Sequence, residues 1–211
     1  MNHLGRWDNT ICKLVENQYV FTDPISNEFI KIILNTNDVD KEVEKYYSED
    51  DCKQLYSLIE RCKKQLQDSN NFELFCQSIG AYQNNYYQIA CLGMFTVTDG
   101  IISDVSQQDI SSFKKRLNKI KDEFDETASL EPLDQKIWCV LKALEKIDIS
   151  IFADSDFRSN EPDCVNRHWT LHGRSTRKFL FTDVIKVLLW IDALLFIENF
   201  NASEEDKEEE K

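Results

Sequence analysis

A chain of 211 residues is long enough for one sizeable core, and its 42% hydrophobic and 11% aromatic residues supply the apolar surface that must offset chain entropy. Five glycines and three prolines are too few for the turns of an all-β chain of this length, so composition excludes that class and disorder, and favours helices. A net charge of −13 excludes whole-molecule attraction to nucleic acid or anionic lipid, and leaves any polyanion contact to a local patch.

Residues 1–36 mix aromatics with Asp23-Pro24 and Ser26-Asn27 without a sustained period, and read as an irregular arm of short elements. Residues 38–67 turn helical, with Val43, Tyr46, Tyr47, Leu55, Leu58, Ile59, Cys62 and Leu66 at mostly three- and four-residue spacings. Asp68-Ser69-Asn70-Asn71 is a stop, with Ser69 or Asn70 available to cap the next helix. Residues 72–103 are apolar on most sides, as expected of a central helix covered by neighbours. Gly80 and Gly93 each weaken helix propensity by up to about 1 kcal/mol relative to alanine. They mark close helix approach, or a break near Gly80. Asp99-Gly100 is the oddity of this run: either a satisfied aspartate or turn, or a polar group facing a site.

Residues 107–125 are amphipathic, with Ile110, Phe113, Leu117, Ile120 and Phe124 on one stripe and lysines opposite. Residues 126–131 form a linker, and Pro132 suits the first turn of a further helix. That helix runs to about residue 147 with Ile137, Trp138, Val140, Leu141 and Leu144 facing inwards. Residues 148–163 are a polar loop, and residues 176–199 form the most hydrophobic helix. The last segment, residues 203–211, lacks apolar residues and is expected to be frayed or disordered. The organisation expected is an N-terminal extension of irregular arm plus helix (1–70), a helical bundle (71–202) and a disordered acidic tail (203–211).

The seven cysteines, scattered and without a Cys-x-x-Cys pair, point to reduced thiols in a cytoplasmic protein. The first eight residues lack the apolar core of a signal peptide. Residues 184–197, the most apolar run, are interrupted by Lys186 and Asp192 and fall short of the roughly 18 residues needed to span a bilayer. No membrane partner is expected.

Chemistry gathers in Asn166-Arg167-His168-Trp169-Thr170-Leu171-His172-Gly173, which holds two of the chain's three histidines. From Asn166 to Lys178 run Arg167, Arg174, Arg177 and Lys178 with no acidic residue among them. The plain reading is a set of solvated cations. Yet cations near a helix start oppose its dipole, and a bound phosphate would offset that. His168 and His172, four apart, share a helix face, a spacing that allows a metal pair. Trp169 stands where a zincin needs glutamate, and no third ligand is evident, so neither metal nor cofactor is expected. Two structural rings beside a C′ glycine, Gly173, are the alternative. Arg167 and His172 together supply a phosphate-binding fork and a proton carrier, the parts needed for metal-free RNA cleavage by the ribose 2′-hydroxyl. Residues five apart do not share a helix face, so completion by a second subunit, or a bend in the chain, is expected.

The stretch from Arg167 to His172 fits the Arg-x-x-x-x-His motif of the HEPN superfamily, the higher eukaryote and prokaryote nucleotide-binding domains. The wider Asn166-Arg167-His168-x-x-Leu171-His172-Gly173, just before a long apolar helix, resembles a bacterial branch, and the resemblance covers residues 72–200. It implies an all-α bundle of HEPN type, here with an N-terminal helical extension, that forms a homodimer in which two motifs face each other as one ribonuclease site. By this resemblance Arg167 binds and polarises the scissile phosphate and His172 acts in proton transfer or transition-state stabilisation. Asn166 and His168 orient; the local positive charge, not the resemblance, makes Arg174, Arg177 and Lys178 candidates for binding or orienting substrate. Members include toxins of toxin–antitoxin pairs, abortive-infection proteins and nuclease parts of CRISPR effectors. The expectation is therefore a metal-independent endoribonuclease acting on RNA, in a toxin or phage-defence role, with an antitoxin or regulatory protein as partner. A branch controlled by modification of a tyrosine after the histidine is not matched, since Gly173-Arg174-Ser175 comes next. Two rivals stay open: a non-catalytic RNA- or nucleotide-binding helical module, and a protein-interaction module that uses the last helix and the tail.

Overall fold

A long run rich in Val, Leu, Ile and Trp near the end of the chain cannot be buried by a single neighbour, and the fold is arranged around it. The computed structural model describes residues 3–22, 25–106, 113–127, 132–151 and 157–209, and every regular element among them is an α-helix. Helix α9 (Phe181–Glu209) contributes that core run, with Val184, Ile185, Leu188, Trp190, Ile191 and Leu194 buried. Helix α5 (Tyr87–Ser106) packs along it, and α3 (Val39–Leu66) covers another side. Helix α4 (Phe72–Gln83) and α6 (Phe113–Thr127) flank α5, and α7 (Pro132–Ile151) joins α6 to α9. Among the described residues α5 is the one helix long and apolar enough to cross a membrane; here its faces lie against α4, α6 and α9.

The first 36 residues are more regular than their sequence suggests. They form α1 (His3–Glu16) and α2 (Asn27–Asn35), packed on each other, with α1 also against α7. Phe29, Ile30 and Ile33 make a short helical stripe, and Ser26 caps α2 by accepting the Phe29 N–H at 3.1 Å. Each stripe is too short to stand out in sequence. Between the helices Tyr19 is fully buried, and the Gln18 carbonyl accepts the Trp190 Nε1–H at 3.0 Å. The N-terminal helices thus belong to the same apolar core as α9.

Helix α3 begins as expected, Asp38 accepting the Lys41 N–H at 3.0 Å. It is broken at Glu49–Cys52, where Asp50, Asp51 and Cys52 take positive φ. Ser48 to Asp51 are weak or polar helix formers with no apolar contact to hold the turn, and aspartate tolerates this backbone region. Residues 72–103 are two helices, not one. Gln83-Asn84-Asn85 ends α4, with Asn85 at φ 62° and the Asn84 Nδ2 donating to the Gly80 carbonyl at 2.8 Å. A Cβ at Gly93 would collide with Ser78 of α4, whereas Gly80 faces open space, so close approach belongs to Gly93. Neither Ser69 nor Asn70 is the cap residue of α4; that place falls to Asn71, whose side chain lies against Gly100 instead.

Leu117 and Ile120 of α6 are buried as the stripe requires; the side chains of Ile110, Phe113 and Phe124 lie outside the described residues. In α7, Ile137, Val140, Leu141 and Leu144 face the core but Trp138 is 47% exposed. It sits one residue, about 100° of helix, off the buried stripe. Helix α9 starts at Phe181, later than its sequence pattern suggests, and its helical backbone continues through Glu209. No glycine or proline comes after Asn199 to stop it, and Ala, Glu and Lys are good helix formers.

Candidate functional site

The motif stretch folds as one rigid turn, the five-residue helix α8 (Arg167–Leu171), packed on α5. Asn166 is its N-cap, 4% exposed, with Oδ1 accepting the Trp169 N–H at 3.1 Å while the Thr170 hydroxyl donates to the Asn166 carbonyl at 2.6 Å. Gly173 closes the turn at φ 63°, and the N–H groups of Arg174 and Ser175 return to the Trp169 carbonyl at 2.9 and 3.1 Å. Trp169 and Thr170 are buried; Arg167 and His168 are half-buried, and His172 is exposed. The buried side chains anchor the turn, and of the ionisable ones only His172 is exposed. Asn166 therefore shapes the backbone, its side-chain carbonyl committed to the cap.

Arg167 is not a free cation. Its Nε donates to both oxygens of Asp99 on α5 at 3.0 Å, and Nη2 donates to Oδ2. Each side chain of this pair is 27% exposed. The unusual aspartate in an apolar helix is thus explained: it is satisfied and faces the site. Arg116 of α6 approaches from the other side, its Nη1 donating to the Ser103 hydroxyl at 2.5 Å and to the Asp99 backbone carbonyl at 3.4 Å.

His168 and His172 pack ring on ring with centroids 4.4 Å apart, and Phe157 lies 4.8 Å from the first and 5.6 Å from the second. The Arg174 guanidinium sits 5.5 Å from the centroid of the same Phe157 ring. Arg167 and His172 occupy the two ends of α8, roughly 7.5 Å apart along its axis at 1.5 Å per residue.

The remaining cations are handled differently. Arg177 pairs with Asp183 of α9 at 3.1 Å, and the Asp183 Oδ2 also accepts the Leu180 N–H at 2.8 Å. The N-terminus of α9 is therefore satisfied by its own third residue, and the cations at this start are offset by a carboxylate of the chain. This is also why α9 begins at Phe181. Glu161 ties down the intervening loop by accepting from the Ser175 hydroxyl and, at 2.7 and 2.8 Å, from the Thr176 N–H and hydroxyl. Burial of Glu161 opposes its ionisation, but these hydrogen bonds and one from the Arg177 backbone prevail and hold its carboxyl below the usual value. Arg174 and Lys178 are the cations of the stretch that stay exposed.

The structure thus groups His168, His172 and Arg174 with Phe157, sets Arg167 against Asp99, and turns Arg177 towards Asp183. The stretch alone does not show that two carboxylates from outside it, Asp99 and Asp183, pair with its arginines, or that a third, Glu161, ties down its backbone. Asp99 carried a signal, being charged within an apolar helix. Phe157 carried none. Among the described residues no group of three or more His, Cys, Asp or Glu side chains is placed to hold a metal. Compared with protein-family models, curated proteins and solved structures, the chain matches none.

Proposed function

We propose that this all-α protein is a HEPN-type, metal-independent endoribonuclease, active as a homodimer. One observation carries the reading: Arg167 and His172, a phosphate fork and a proton carrier, stand at the two ends of one turn that buried Trp169 and Thr170 anchor to the core. Helix α8 fixes their separation, and fixed geometry is what lets a few groups lower a barrier.

In this reading Arg167 holds the scissile phosphate, and the exposed Arg174 and Lys178 contact the RNA chain beside it. An imidazole accepts the proton of the ribose 2′-hydroxyl as its oxygen attacks phosphorus. The bond from phosphorus to the 5′ oxygen breaks, that oxygen takes a proton, and the products are a 2′,3′-cyclic phosphate and a 5′-hydroxyl. Arg167 stabilises the charge that grows on the phosphoryl oxygens. His172 of one subunit and His172 of a second copy supply the two proton transfers, which is why a dimer is needed. His168 sets the ring plane of His172 by packing on it. The biological setting that fits is growth arrest or phage defence, with an antitoxin or regulator as protein partner, in the cytoplasm. The test is cleavage of single-stranded RNA by Arg167→Ala and His172→Ala: each is expected to lose it while the chain stays folded by circular dichroism, and activity persisting in both overturns the reading.

A second reading has its own support. Arg167 is already ion-paired and His172 already packed on two rings, as suits a module that binds RNA or a nucleotide without chemistry. It predicts binding that Arg167→Ala weakens and His172→Ala leaves intact, with no cleavage by the wild type.

A further inference from the structure

We infer that Asp99 is a positioning residue for the phosphate site, holding one edge of the Arg167 guanidinium so that the other edge faces substrate; this rests on the ribonuclease reading. A guanidinium carries five N–H donors in a planar fork and offers two edges that match an oxyanion, Nε with one Nη and the two Nη together. Asp99 takes the first edge, with both its oxygens on Nε and one on Nη2. The Nη1–Nη2 edge lies outside this pair. Two parallel N–H groups there suit two phosphoryl oxygens.

The fold keeps Asp99 in place. It lies in the middle of α5, whose carbonyl at this residue and whose Ser103 hydroxyl accept hydrogen bonds from Arg116 of α6. Gly100, the next residue, lets the Asn71 side chain sit against the helix where a Cβ would collide. Arg167 itself starts a turn anchored by buried Trp169 and Thr170. Carboxylate and guanidinium are thus carried by two packed helices, and the pair fixes the plane of the fork. Asp99 also cancels the charge of Arg167 until a phosphate arrives. In a chain of net charge −13 this makes the site depend on fit more than on attraction.

The test is Asp99→Asn, which keeps the shape and one acceptor but removes the charge. RNA binding is measured in a His172→Ala background, and turnover in the wild-type background. The expected result is binding that is tighter, that loses the gain on Arg167→Ala, and that falls more steeply with salt, the slope growing by roughly 0.7 for one more phosphate contact on a single strand. Turnover falls at least about tenfold because the fork is no longer held, and Asp99→Glu, which keeps the charge, restores part of it. A structural role alone would lower melting temperature, binding and turnover together, and overturns the inference. Cleavage that is equal in wild type and Asp99→Asn also overturns it while leaving the ribonuclease reading intact. If the wild type binds RNA without cutting it, the Arg167-dependent gain in Asp99→Asn still supports the inference while the ribonuclease reading fails. No RNA binding by any variant overturns both.

Discussion

The Asp183 carboxylate takes the Arg177 guanidinium at 3.1 Å and the Leu180 N–H at 2.8 Å, so one buried side chain both ends the loop after α8 and starts α9. Asp183→Ala removes a helix cap and leaves a half-buried guanidinium unpaired. A loss of about 1–3 kcal/mol is expected from these two effects. Local opening should be the first sign, seen as faster tryptic cleavage at Arg174 or Lys178 than in the wild type. Unchanged melting and unchanged cleavage would show that the cap contributes nothing.

Asp192 of α9 is 2% exposed and receives Arg61 of α3 at 2.7 and 3.0 Å, with the Thr22 hydroxyl as a further donor. Arg61→Ala leaves that carboxylate buried without its charge partner, at a cost of about 3–5 kcal/mol. For a chain of this size that is a fall in melting temperature of roughly 10 °C. The double variant Arg61→Leu with Asp192→Leu should recover much of the loss, because it removes both charges and keeps apolar volume.

The Glu161 carboxyl is held below its ordinary value of 4.5, so the folded state binds fewer protons there than the unfolded chain. Its contribution to stability is present above that ordinary value and disappears as pH falls through the lowered one. Melting curves of wild type and Glu161→Gln should therefore differ by a constant amount above about pH 6 and converge in acid. A gap that widens in acid would contradict the assignment.

How far an element is legible in the sequence depends on how it is stabilised. Helices α3, α7 and α9 show in it because long stripes such as Leu55, Leu58, Ile59, Cys62 and Leu66 repeat at helical spacing. Helices α1 and α2 do not, because their short stripes gain stability by packing on each other and on α7 and α3. A break between α4 and α5 is one of two readings near Gly80; it falls at Asn84–Asn85 instead, because apolar residues on both sides blur its place. At the site, Arg167, His172 and the closing Gly173 are visible as a local motif. Asp99 is visible too, as a charge within an apolar helix, but its pairing with Arg167 is not, since it is 68 residues away and is brought there only by the packing of α8 on α5.

Gly93 lies where α5 presses on Ser78 of α4, and Ser78 is itself buried and donates to the Leu74 carbonyl at 2.7 Å. Gly93→Ala gains helix propensity of about 1 kcal/mol. Overpacking at a fixed helix contact costs about 1–3 kcal/mol and should prevail. Net destabilisation by chemical denaturation, partly relieved by adding Ser78→Gly, is the expected outcome. Stabilisation by Gly93→Ala alone would mean that the two helices separate easily.

Whether Arg167 and His172 form a metal-free ribonuclease site is decided by cleavage of 5′-labelled single-stranded RNA in excess EDTA, comparing wild type with His172→Ala at matched concentration. Wild-type products ending in a 2′,3′-cyclic phosphate, and none from the variant, are the expected result. Cleavage that needs added metal, or that His172→Ala carries out as well as the wild type, would contradict the assignment of this site.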